Sequence, residues 1–372
     1  MKNLLENFIK KYPITFVCIV LFTIAAVVNM EILGISGVYE NNKINNLIMA
    51  ITISLITIIE STFLVTNICD VYNDKLPEKI KDNYILKNLL GVFVGIAIYF
   101  ITCILFSIYI GDNTNGQYVS YPVSFILISL ACYFIITKKN IEVSKYTHKV
   151  FINEIILLIL FLVIITGTGV LFYISYTLLG FNDWTRFFDI MMVETTLITY
   201  IGSFIALENV ERESNAASKI LIKYVMFIMV LIGFVFFYIY LVKIIITKEL
   251  PSNQVFLVCT ILFGAGLSIA LMTRSFDEGT MYDKIIKNLP IAFIPALILQ
   301  ILSLALRINQ YGITTLRYIG GIIILYEISY IVLYIFKYSK LKYMFVVGAI
   351  LAFIMTYVPI INIMQLPQIL NP

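Results

Sequence analysis

Apolar residues run through this chain in blocks of about twenty, separated by short polar breaks. Eleven such blocks cover roughly 12–33, 44–66, 84–110, 121–137, 150–179, 188–207, 219–247, 253–273, 289–306, 316–336 and 342–362. They lack the one-sided 3.6-residue period of amphipathic helices and the alternation of a membrane barrel. At about 1.5 Å of rise per residue, even the shortest covers most of a roughly 30 Å hydrocarbon layer. The pattern predicts an all-α fold, a polytopic membrane bundle of about eleven transmembrane helices. The breaks between blocks are under twenty residues, too short to bury a core of their own. Domain structure is then only a grouping of helices, four spans in 1–145 and seven in 146–372.

Composition agrees. The chain is 60% hydrophobic and 13% charged, against roughly 45–50% and 25% in soluble proteins. The placement of charge says more than its total. Of the 26 Lys and Arg residues, 20 fall in alternate breaks, on the side that carries Lys2, Lys10 and Lys11. The positive-inside bias therefore predicts a cytoplasmic N-terminus and an extracytoplasmic C-terminus. The first block follows those lysines as a signal sequence would. It is long and lacks a small-x-small cleavage site, so it reads as a retained helix. No basic stripe points to nucleic acid, and the bilayer is the partner that composition requires. The five cysteines lie in or beside apolar blocks without Cys-x-x-Cys spacing and read as small core residues. The single histidine, His148, sits in a lysine-rich break and reads as a solvated loop residue. Neither a metal nor a cofactor is expected.

Polar and irregular positions inside the blocks are the candidates for chemistry. Thr166-Gly167-Thr168-Gly169 lies near the middle of the long fifth block. It reads either as a helix broken around a ligand or as a small-residue face that lets a neighbour approach. The close-approach reading also covers Gly264-x-Gly266 and, most simply, Gly91-x-x-x-Gly95. An ionisable residue inside a span costs on the order of 2.5–3.5 kcal/mol, so each needs a partner, a water-filled cavity or a nearby interface. Glu327 is the deepest, Glu194 lies one to two turns inside its span, and Glu60 sits in the inner half of the second. Glu327 reads equally as a proton or cation site and as an acid bonded to a neighbouring hydroxyl. Lys243 reads as snorkelling outward and Glu31 as interfacial. Pro290 and Pro295 predict a kink in the ninth span.

Two polar stretches at the outer ends of spans seven to ten are the most structured. Residues 243–251 read Lys-Ile-Ile-Ile-Thr-Lys-Glu-Leu-Pro, and 307–318 read Arg-Ile-Asn-Gln-Tyr-Gly-Ile-Thr-Thr-Leu-Arg-Tyr. In the second, Gly312 suits a helix C-cap, and Thr314 or Thr315 suits the start of the next helix. Arg307 and Arg317 run against the charge bias of that face. Lipid phosphate, a carboxylate such as Glu249 or Glu194, or a ligand anion is expected to stabilise them. The plainer reading is a salt-bridge clamp on the rim. Lys243, Glu249, Arg307, Asn309, Tyr311 and Arg317 form a candidate rim site, and Gly167, Thr168, Gly169, Glu194 and Glu327 a candidate intramembrane polar site.

With the Gly-Thr-Gly of 167–169 and the Lys219-to-Lys223 entry to span seven, these stretches resemble the bacterial membrane family known as domain of unknown function 4153. The resemblance covers roughly 150–345 and departs at Lys248, where an aromatic is common. It implies a multi-pass protein of the bacterial plasma membrane and brings no activity, substrate or catalytic residue. Phosphate-binding glycine loops, His-Glu-x-x-His, Gly-x-Ser-x-Gly and membrane Gly-x-Gly-Asp pairs are all missing, so an enzyme is disfavoured. Three functions are left: permease-like transport or binding of a small solute or lipid, an accessory or sensor role meeting an envelope component or partner through the rim, and, more weakly, transfer on lipid-linked substrates using Asp183, Asp189 and Glu194.

Overall fold

The computed structural model describes residues 2–36, 43–109, 117–138, 143–179, 184–208, 227–248, 254–273, 281–336, 343–358, 360–363 and 365–370. Among these residues the regular structure is helical and no strand occurs. In chain order the α-helices are α1 (Lys2–Lys11), α2 (Pro13–Ser36), α3 (Lys43–Val71), α4 (Glu78–Lys81), α5 (Tyr84–Tyr109), α6 (Gln117–Thr137) and α7 (Val143–Leu179). They continue as α8 (Trp184–Glu208), α9 (Phe227–Thr247), α10 (Gln254–Thr273), α11 (Met281–Tyr311), α12 (Thr315–Phe336), α13 (Met344–Tyr357) and α14 (Gln365–Leu370). Eight are long and apolar enough to cross a membrane, and α1 with α2, bent by 104° at Tyr12, makes a ninth if counted as one span. The described apolar stretches Val255–Ala270 and Met344–Tyr357 are shorter.

The chain divides into two compact units, one of residues 1–138 and 150–211, the other of 139–149 and 212–372. In the first unit α3 is the central helix, packed by α2, α5 and α6, with α2 also against α8. Water offers no drive for helices to associate in hydrocarbon, so backbone proximity and interhelical hydrogen bonds must hold them. Gly91 and Gly95 supply the proximity. A Cβ at Gly91 would lie 2.4 Å from the Thr62 Cα, and one at Gly95 2.9 Å from the Ile58 Cα. This Gly-x-x-x-Gly pair is a close-packing face, as expected. Phe63 stacks on Phe204 with ring centroids 4.2 Å apart and touches Tyr12 and Tyr133 on its other sides.

In the second unit each helix packs on the next in sequence, from α9 through α13. Its core centres on Phe263, edge-on to Phe293 and Tyr330, with Phe234 against Phe293. Gly266 admits the Phe293 ring, 2.9 Å from where a Cβ would stand, whereas Gly264 has open space. α11 runs continuously through Pro290 and Pro295. His148 is 2% exposed and lies within α7, correcting its reading as a solvated loop residue.

Candidate functional site

The most elaborate polar construction is at the corner between α1 and α2, and it starts from a backbone problem. Proline at 13 ends α1, which leaves the Lys11 carbonyl and the Thr15 amide without helical partners. The buried Asn88 amide of α5 serves both ends. Its Nδ2 donates to the Lys11 carbonyl at 3.0 Å and to the Thr66 hydroxyl at 3.2 Å. Its Oδ1 accepts from the Thr15 backbone N–H at 3.4 Å and the Thr15 hydroxyl at 3.2 Å.

Around this hub lies a charge cluster. Lys87, 2% exposed, donates to Asp70 at 2.7 Å and to Asn73 at 3.3 Å. Lys11 pairs with the other Asp70 oxygen at 3.0 Å and with Glu208 of α8. Asn67 accepts from the Tyr12 hydroxyl at 3.1 Å. Lys138 stands over the Tyr133 ring, and burial lowers its pKa, as does Lys11, while Glu208 opposes the shift. The ion pairs of Lys11 and Lys87 with Asp70 and Glu208 clamp the α1–α2 corner to α3, α5 and α8. Engaged with one another, these four groups serve the architecture and offer little to a substrate.

The intramembrane acids are of another kind. Glu60 is 3% exposed and accepts from the Ser129 hydroxyl at 3.1 Å. Glu154 accepts from Ser203 at 3.4 Å, and Glu194 from Thr168 at 2.5 Å, leaving the second Glu194 oxygen buried without a partner. In the second unit Glu327, 2% exposed, accepts from Gln300, which also donates to the Thr260 hydroxyl at 3.0 Å. All four meet neutral donors, and none has a cation partner among the described residues. An unbalanced charge is costly in hydrocarbon, and these neutral donors offset only part of that cost. Among the described residues no three His, Cys, Asp or Glu side chains gather.

Thr168 and Glu194 meet in the first unit, and Glu327 belongs to the second. α7 is an unbroken helix through Gly167-Thr168-Gly169, correcting the reading as a helix broken around a ligand. No described atom lies within 4 Å of a Cβ at either glycine, so among the described residues they admit no close neighbour either.

Lys243 is exposed on α9, and Glu249 lies outside the described residues. α11 extends through Arg307 and Asn309 to Tyr311, so only Gly312, Ile313 and Thr314 separate it from α12. Gly312 adopts a φ of 72° and caps α11, as predicted. Thr314 sits at the start of α12, its hydroxyl 3.5 Å from the Arg317 amide. Arg317 donates to the Tyr311 and Gly312 carbonyls at 3.0 and 2.8 Å and covers the Tyr311 ring. Its partners among the described residues are thus the carbonyls of a helix C-terminus, where a cation is favoured. No salt-bridge clamp forms at Arg307 or Arg317 among the described residues. Gly312→Ala is expected to cost about 1 kcal/mol because a Cβ is strained at this φ, read as a lowered Tm of the purified protein. Of the proposed transferase acids, Asp183 lies outside the described residues, and Asp189 is buried with Arg186 at 3.9 Å.

Sequence reasoning missed Glu154 and the whole corner clamp. Asn67 and Asn88 were the available signal, two amides within apolar helices at span ends that the charge count places on the same side. No family model, curated protein or solved structure matches the chain.

Proposed function

We propose that this chain is a permease-like protein of a bacterial plasma membrane that moves or binds a small solute or lipid. In this reading it has eleven spans, a cytoplasmic N-terminus and an extracytoplasmic C-terminus. Support for that number comes from the eight long apolar helices, the bent α1–α2 pair and the two shorter apolar stretches, and the distribution of Lys and Arg supports the orientation. The resemblance to domain of unknown function 4153 supports the bacterial assignment.

The observation that carries the transport reading is the pair of deeply buried acids, Glu60 and Glu327, one in each unit and each bonded to a neutral donor. A carboxyl so placed can gain and lose a proton or small cation without breaking a salt bridge, which suits a coupling site. Glu327 is closely packed against Gln300, so its loading requires the second unit to open locally. The rim offers less to a partner, because Arg317 is engaged by its own helix end.

Proteoliposomes holding a pH dye and carrying a potassium-diffusion potential test the reading. Wild-type protein is expected to acidify the interior faster than empty vesicles, and Glu60→Gln and Glu327→Gln each to remove most of that excess. Acidification equal to empty vesicles, or unaffected by both variants, would sink the proton-coupled reading.

A further inference from the structure

A groove of about 400 Å3 runs between α9 and α10, lined by Gly233, Phe236, Tyr240, Val255, Val258 and Leu262. Its floor is set by a glycine. The Leu262 side chain lies across Gly233, its Cδ2 2.5 Å from where a Cβ would stand. The walls remain open, with Phe236 68% and Val258 46% exposed. From Gly233 to Tyr240 the slot covers about 10 Å of helix.

One turn beyond Tyr240, on the same face of α9, stands Lys243. Its side chain is exposed and has no hydrogen-bond or ion-pair partner among the described residues. It lies four residues before the end of α9 at Thr247, close enough for its stem to carry the ammonium to head-group depth. The other end of the slot, at Gly233 and Leu262, is mid-helix and apolar. The polar end of an amphiphile seated here belongs at the Lys243 end. An apolar slot leading to an exposed cation matches one acyl chain and one phosphate.

We infer that α9 and α10 hold an anionic phospholipid, with an acyl chain in the groove and its phosphate on Lys243. The site belongs to the second unit alone and does not rest on the transport reading.

The test uses the full chain in phosphatidylcholine nanodiscs doped with phosphatidylglycerol that carries a photoreactive acyl chain. Adducts are expected to concentrate on the peptides of α9 and α10. Lys243→Gln is expected to reduce them about five-fold, the weight of one lysine facing an anionic head group, with labelling elsewhere unchanged. Val258→Trp fills the slot from an exposed position and is expected to abolish them. With a photoreactive phosphatidylcholine in place of the glycerol lipid, Lys243→Gln is expected to have no effect. Even labelling of all lipid-facing helices, or labelling indifferent to either variant, would overturn the assignment.

Discussion

Asp70→Ala is expected to destabilise the protein by about 3–5 kcal/mol, the range for breaking a buried ion pair from one side. Lys87 is 2% exposed and its ammonium has Asp70 at 2.7 Å. Without that carboxylate the Asn73 side-chain oxygen, 3.3 Å away, and the Tyr84 ring, 5.0 Å away, are left beside a buried charge. Lys11 would lose a partner as well but would keep Glu208. The cost therefore arises mainly at Lys87, and this gives the prediction a second arm. Lys87→Met in the Asp70→Ala background removes the stranded charge and keeps an unbranched apolar side chain, so it should recover most of the loss. Thermal unfolding in detergent, followed by the fraction remaining monodisperse, reads both arms. A double variant no better than Asp70→Ala alone would show that the carboxylate acts elsewhere.

Gly91→Ala is expected to cost about 1–3 kcal/mol, toward the upper end of the range for overpacking. The added carbon would stand 2.4 Å from the Thr62 Cα and 3.1 Å from the Ser61 carbonyl oxygen. Both are backbone atoms that no rotamer change can move, so α3 and α5 must separate. Separation would also pull Asn88, three residues before Gly91 on α5, away from the α1–α2 corner that it closes. Gly264→Ala is the matched control, because no described residue lies within 4 Å of its added carbon. The same unfolding measurement should show a large drop in Tm for the first variant and no drop for the second. Equal behaviour of the two would mean that the α3–α5 contact is looser than described.

The reading of glycines shows where sequence reasoning succeeds and where it stops. Gly91 and Gly95, four apart on one helix, share a face whatever the fold, so close packing is a sound expectation from spacing alone. Gly167 and Gly169 carry the same residue type in a Thr-Gly-Thr-Gly run, yet α7 passes through them unbroken and no described residue approaches. A glycine permits either outcome, and the packing partner chooses. Arg317 makes a similar point. Its charge predicts an anionic partner, but the fold brings it to the last carbonyls of α11, a source of negative potential with no residue-type signature.

What the sequence determined by itself is local. Blocks of twenty apolar residues must satisfy their own backbone hydrogen bonds in hydrocarbon, which makes them helices regardless of their neighbours. Gly312 caps α11 because a glycine before a new apolar run suits the left-handed turn. The tertiary structure decided which polar groups meet. Asn88 closing the α1–α2 corner, Asp70 between two lysines, and Gln300 on Glu327 each join residues between 17 and 77 positions apart. Such pairings depend on helix rotation and depth, which a uniformly apolar surface leaves unspecified, because every face of it is equally soluble in lipid.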